Sequence, residues 1–196
     1  MGKSSKQPAA EPSVIPYHRQ RHEKACGLAC LRMVEEFLGG TARPEVVWKD
    51  EQGTSWTAAD GIGAPQMGRA LTRLAKCANA PIELLCSWTK TDAEWRAGRP
   101  KPLVELPARW TKGEMILVVL VDSFTHRKPN LGNLGHYLVI HDLVRGGRPS
   151  RTRGRSRDVA VYHDPLEGPD LYWAWDSLLL ATHFAMLIKK PAVAAE

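Results

Sequence analysis

The 196-residue chain predicts an α+β domain in which one N-terminal helix packs on a mostly antiparallel sheet. Three observations predict it. Leu28, Leu31, Val34, Phe37 and Leu38 recur at the three-and-four spacing of a buried helix face. Met115 to Val121 is apolar at every position, as a strand covered on both faces is. His136-Tyr137-Leu138-Val139-Ile140-His141 and Val159-Ala160-Val161-Tyr162-His163 flank an arginine-rich stretch and read as the arms of a hairpin over 136–144 and 158–163.

In chain order, Met1 to Ser13 is polar and proline-bearing, lacks the apolar core of a secretory signal, and reads as a disordered arm. Lys6 stands where a myristoylation signal needs Ser or Thr. Pro16 holds Ile15 extended, so a short lead-in delivers Gln20. The first helix runs from about Cys26 to Leu38, where Gly39-Gly40 stops it; these glycines after Leu38 read as an ordinary helix cap. A polar loop reaches Gly63. Pro65 then opens a second helix, with Met67, Leu71 and Leu74 on one face, ending near Lys76. Ala80 to Cys86 reads as a strand. Thr91-Asp92-Ala93-Glu94 fits a capping box for a short helix through Ala97. Leu103 to Leu106 reads as a short strand ended by Pro107, and Met115 to Val121 as the central one. A turn-rich loop with Pro129, Asn130, Gly132 and Asn133 precedes Gly135 and the hairpin. Trp173 to Leu180 reads as a helix and Ala185 to Lys189 as a last strand. The division is an arm over 1–13, one domain over 14–190 with a loop insertion at 145–158, and a tail over 191–196.

Hydrophobic content of 43% and charged content of 24% are those of an ordinary soluble globular protein. The longest apolar run, 115–121, is far too short for a membrane span. With no signal-like start, the expectation is a cytoplasmic protein, export by a route without a cleaved signal being left open. Cysteines at 26, 30, 77 and 86 form no CxxC pair, which suits a reducing compartment. His18, His22, Cys26 and Cys30 recur every four residues, but Pro16 and the unpatterned stretch before Cys26 deny them a continuous helix, and a linear stripe does not close a tetrahedron. Neither metal nor cofactor is expected.

Arg145, Arg148, Arg151, Arg153, Arg155 and Arg157 carry the whole of the formal +6 charge. Their loop reads first as a solvated hairpin excursion. Its functional reading is a contact surface for an acidic partner; nucleic acid is disfavoured, because no aromatic residue is there to stack on a base.

Cys26 stands at the predicted start of the first helix, where unpaired N–H groups and the positive end of the dipole favour a thiolate. Cys30, one turn further in, reads as a small buried hydrophobe. His136 opens a strand directly after Gly135, and Asp164 ends the partner strand with Pro165 fixing the chain behind it. If the hairpin forms, an imidazole and a carboxylate meet. Acyl transfer needs a thiolate, a base, a group that orients the base, and donors for an oxyanion. Cys26, His136, Asp164 and Gln20 fill those roles in that order. His141 and His163 are rival bases if the strand register differs.

Pro16-Tyr17-His18-Arg19-Gln20, Cys26-Gly27-Leu28-Ala29-Cys30-Leu31, Gly135-His136-Tyr137-Leu138-Val139-Ile140 and Asp164-Pro165 together resemble the papain-like cysteine peptidases of the bacteriocin-processing, double-glycine leader peptidase type. The resemblance implies a papain-like α+β fold, a peptide or protein substrate, Cys26 as nucleophile, His136 as base, Asp164 orienting it and Gln20 in the oxyanion hole. Two alternatives share the fold: a deamidase or acyl or amide transferase working through the same thioester, and a catalytically silent module that binds through Arg145 to Arg157.

Overall fold

A strand with no polar residue must be covered on both sides, and Met115–Val121 sets the layering of the whole molecule. The computed structural model describes residues 15–42, 48–49, 55–56, 61–87, 101–122, 135–146 and 158–191. Along these lie α1 (Cys26–Phe37), β1 (Trp48–Lys49), β2 (Ser55–Trp56), α2 (Ala64–Cys77), β3 (Ile82–Cys86), α3 (Lys101–Val104), α4 (Leu106–Arg109), β4 (Met115–Val121), β5 (His136–Val144), β6 (Val159–Asp164), β7 (Gly168–Ala174), α5 (Trp175–Ala181) and β8 (Thr182–Lys189). Strands β1 and β2 pair as a separate short ribbon. The other six form one sheet in the order β3-β8-β4-β5-β6-β7, antiparallel at each pairing.

Alternation along β4 divides the core. Ile116, Val118 and Leu120 join Leu28, Leu31 and Val34 of α1 and Met67, Leu71 and Leu74 of α2. Leu117, Val119 and Val121 pack with Trp175, Leu178 and Leu179 of α5 and with Leu103 and Leu106. The sheet is therefore the middle of three layers. Complete burial of each such side chain contributes about 1.5–3 kcal/mol. Helix α1 starts at Cys26, where the periodic pattern predicts, and ends one residue short of Leu38; Gly39 then takes the left-handed φ of +84° that turns the chain away.

The predicted hairpin is present. Val139 faces His163 and Ile140 faces Tyr162 across β5 and β6. Asp158 closes the base of the arginine loop by accepting a bond of 3.2 Å from the Gly146 N–H. Arg145, first of the six arginines, donates from Nε to the Pro107 carbonyl at 2.8 Å, so it braces the second layer.

Two expectations are corrected. Residues 103–106 are helical, divided between α3 and α4: Leu103 and Leu106 are buried at a spacing of three while Val104 is exposed, and Pro102 and Pro107 occupy first-turn positions that tolerate proline. A strand, β7, occupies 168–174, and the following helix begins only at Trp175. Leu171-Tyr172-Trp173 has the aromatic character of a strand, and the turn over 165–167 returns it alongside β6. The arm, the capping-box helix near 91–97, the loop over 123–134, arginines 148–157 and the tail from 192 lie outside the described residues.

Replacing Leu117, wholly buried in β4, with alanine should cost about 2–5 kcal/mol in urea unfolding. Leu180→Ala, at a position 63% exposed on α5, should stay within about 0.5 kcal/mol.

Candidate active site

Pairing β5 with β6 brings the first residue of one strand to the last residue of the other. His136 and Asp164 are both buried, at 2% and 0% exposure, and His136 Nε2 lies 2.8 Å from Asp164 Oδ1. The same oxygen accepts the Leu166 N–H at 2.8 Å and the Glu167 N–H at 3.2 Å, so the turn after β6 fixes the carboxylate before the ring arrives.

Cys26 comes to this pair from the opposite end of the chain. The lead-in is pinned to the hairpin by a set of bonds: Gln20 N–H to the Pro165 carbonyl at 2.9 Å, Tyr17 hydroxyl to the same carbonyl at 3.3 Å, and His163 Nε2–H to the Ile15 carbonyl at 3.0 Å. Helix α1 then begins at Cys26, whose thiol acts on the His136 ring as a hydrogen-bonding and charged neighbour that raises its proton affinity. With Nε2 engaged by Asp164, Nδ1 is the nitrogen left for the sulfur. Among the described residues no side chain caps α1 at Ala25, and the N–H groups of Cys26, Gly27 and Leu28, at the helix start, have no intrahelical acceptor. Gly27 is required for this approach, because a β-carbon there would collide with Ile62 and stand 3.1 Å from both Met67 and the Tyr137 ring.

Burial alone would drive the His136 ring down. The hydrogen bonds to Asp164 and Cys26, with the negative charge of each, outweigh it and hold the imidazolium up to about 9. Burial pushes the Cys30 thiol well above its ordinary range, and charge at Cys26 and Asp164 adds to the effect. Cys30 is thus the inert member of the pair, as its place inside the helix predicts.

Gln20 is buried, 8% exposed, with both of its donors in use: Nε2 donates to the His22 carbonyl at 2.9 Å and to the Glu23 carbonyl at 3.0 Å, leaving Oε1 without a partner among the described residues. This folds the segment before Cys26 into a turn and explains its lack of periodicity. His18 likewise lies before the helix, 3.0 Å from Glu36, so the four-residue stripe of His18, His22, Cys26 and Cys30 is not one helical face. The rival bases have partners of their own. His163 faces the Ile15 carbonyl and His141 faces Asp170 at 3.0 Å. Sequence reasoning did not single out Tyr137. Its hydroxyl is buried without a hydrogen-bond partner among the described residues, its ring lies edge-on to Phe184, and its acidity is suppressed by burial first and by charge at Cys26 and Cys30 second.

No family model matches the chain, and no curated protein matches it. Among solved structures it is similar to the peptidase domain of Streptococcus ComA, a bi-functional ABC transporter involved in a quorum-sensing pathway. That likeness has 14% identity, covers 88% of this chain and 96% of the other, and has a TM-score of 0.43.

The folded ring of His136 has a higher proton affinity than a free imidazole, so the stability it contributes is full below about 6.5 and is lost as pH rises through about 9. An NMR titration of His136 should show a midpoint near about 9 that falls in Asp164→Asn. A midpoint at the ordinary imidazole value would contradict the geometry.

Proposed function

We propose that the chain is a papain-like cysteine peptidase that cleaves a peptide or protein amide through Cys26, His136 and Asp164. The observation that carries this reading is one buried imidazole with a carboxylate 2.8 Å away, on which the Cys26 thiol acts as a second partner raising its proton affinity. A histidine needed only for packing has no use for both partners. The order of groups is that of acyl transfer: sulfur, proton carrier, orienting anion.

In the first step the Cys26 sulfur attacks the scissile carbonyl carbon while His136 carries the proton. The carbonyl oxygen becomes an oxyanion beside the uncapped start of α1, where the Cys26 N–H has no intrahelical acceptor. Gln20 supplies the second donor when one of its Nε2 bonds, to the His22 or Glu23 carbonyl, is exchanged for the oxyanion. Collapse of the tetrahedral centre breaks the carbon–nitrogen bond, and His136 gives its proton to the departing amine. Water then attacks the thioester, surrendering a proton to His136, and the product acid leaves as the thiolate returns. Asp164 holds Nε2 throughout, keeping Nδ1 aimed at the sulfur. An amine in place of that water would give acyl transfer from the same thioester, and a glutamine side-chain amide in place of the peptide bond would give deamidation.

Iodoacetamide should label buried Cys26 faster than exposed Cys77 at about pH 6, where ordinary thiols are almost wholly protonated. If Cys26 reacts no faster than Cys77, the assignment fails. Cys26→Ala and His136→Ala should each lower peptide turnover by at least about 10³-fold. Gln20→Ala should lower kcat by about 10²-fold or more. Intact masses of the products separate chain cleavage from deamidation and from an adduct.

A further inference from the structure

Three ligating side chains stand together beside the residues already assigned. His141 of β5, His163 of β6 and Asp170 of β7 come from three neighbouring strands, with one ligand atom of each lying within 4.8 Å of the others. His141 Nε2 is 3.0 Å and His163 Nδ1 3.9 Å from Asp170 Oδ1, and the two rings are 4.3 Å apart between centroids.

We infer that His141 Nε2, His163 Nδ1 and Asp170 Oδ1 form a binding site for a single divalent ion of the zinc class, with water completing its shell. The donor set favours that class, since two imidazoles and one carboxylate suit zinc, whereas magnesium and calcium take oxygen shells. A tetrahedral ion about 2.1 Å from each ligand needs them roughly 3.4 Å apart, so the cluster needs side-chain movements of about 1 Å to close.

The protonation of His163 is set by its neighbours. A carbonyl can only accept, so Nε2 carries the proton toward Ile15 at 3.0 Å, and Nδ1 bears the lone pair that now receives the Asp170 N–H at 3.2 Å. A ring whose far N–H donates to a backbone carbonyl is the arrangement that orients a metal-binding histidine. The ion takes the place of the Asp170 N–H on Nδ1. His141 supplies the second observation. It is 8% exposed, and among the described residues its Nε2 makes no hydrogen bond although Asp170 Oδ1 is only 3.0 Å away, so the oxygen lies off the axis of the nitrogen. An ion held about 2.1 Å from both atoms would sit on that axis with the oxygen roughly 45° to one side. Asp170, 37% exposed, gives the ion a way in. Lys112 acts on His141 as a positive charge and is itself paired with Asp142 at 3.4 Å.

Binding would join β5, β6 and β7 and, through the Ile15 carbonyl on His163, secure the lead-in that delivers Cys26. This assignment does not depend on the peptidase reading.

The test is calorimetric titration of Zn2+ into chelator-stripped full-length Cys26→Ala protein, a background that removes the rival thiol. One Zn2+ per chain in the micromolar range or tighter is expected, weakened at least about tenfold by adding Asp170→Asn or His163→Gln. Asp170 is partly exposed, so its variant should keep its far-ultraviolet circular dichroism even if His163→Gln unfolds. Zn2+ should raise the thermal midpoint of Cys26→Ala, Mg2+ should not, and Co2+ should bind to wild type without a thiolate charge-transfer band. The inference is overturned if Zn2+ does not bind, if Cys26→Ala abolishes binding seen in wild type, if Asp170→Asn leaves the affinity unchanged, or if Co2+ shows the thiolate band.

Discussion

The buried contact between His136 and Asp164 is the constraint on which the rest of the structure depends. A ring at 2% exposure can carry charge only if countercharge is built in beside it. Asp164 meets that need with an oxygen already held by two backbone N–H groups of its own turn. Because the anion is immobilised by local backbone, the imidazole is held by the anion, and the thiol finds its partner in a fixed place. Removing the carboxylate would leave the ring to the desolvation that opposes its charge.

That contact also determines what the remaining chain must do. Residue 136 can meet residue 164 only if β5 and β6 pair in the observed register, and β5 is in turn paired with β4, whose two apolar faces require layers on both sides. Cys26 arrives from more than a hundred positions earlier, with no covalent help. Its location depends on Pro165, whose carbonyl takes both the Gln20 N–H and the Tyr17 hydroxyl, and on His163, which holds Ile15. The same short turn therefore fixes the carboxylate from one side and the path to the sulfur from the other.

Much of this was legible in the sequence where one periodicity dominated. Helix α1 repeats an apolar face over three turns, β4 is unbroken, and the hairpin arms are apolar on either side of a charged loop, so each could be read and the meeting of His136 with Asp164 inferred. Residues 103–106 were misread as a strand because four apolar-rich positions satisfy either period; the buried pair Leu103 and Leu106 resolved it only in the fold. Strand β7 was missed because its burial is irregular and Asp170 adopts a left-handed φ of +52° within it. The grouping of His141, His163 and Asp170 has no local spacing to reveal it, since it exists only across three strands. The bonds that occupy Gln20 are with backbone carbonyls, which no side-chain pattern encodes.

Cys26 is the nucleophile only if its sulfur attacks electrophilic carbon with His136 as proton carrier, and intact-mass analysis with peptide mapping can follow that attack. A mixture of peptides bearing a chloromethyl ketone in place of the scissile bond should leave one thioether adduct, formed with loss of chloride, on Cys26 in the wild type. That adduct should be lost in His136→Ala while the exposed Cys77 remains intact as a thiol. An adduct that maps to Cys77, or one on Cys26 that forms equally well without His136, would contradict the account.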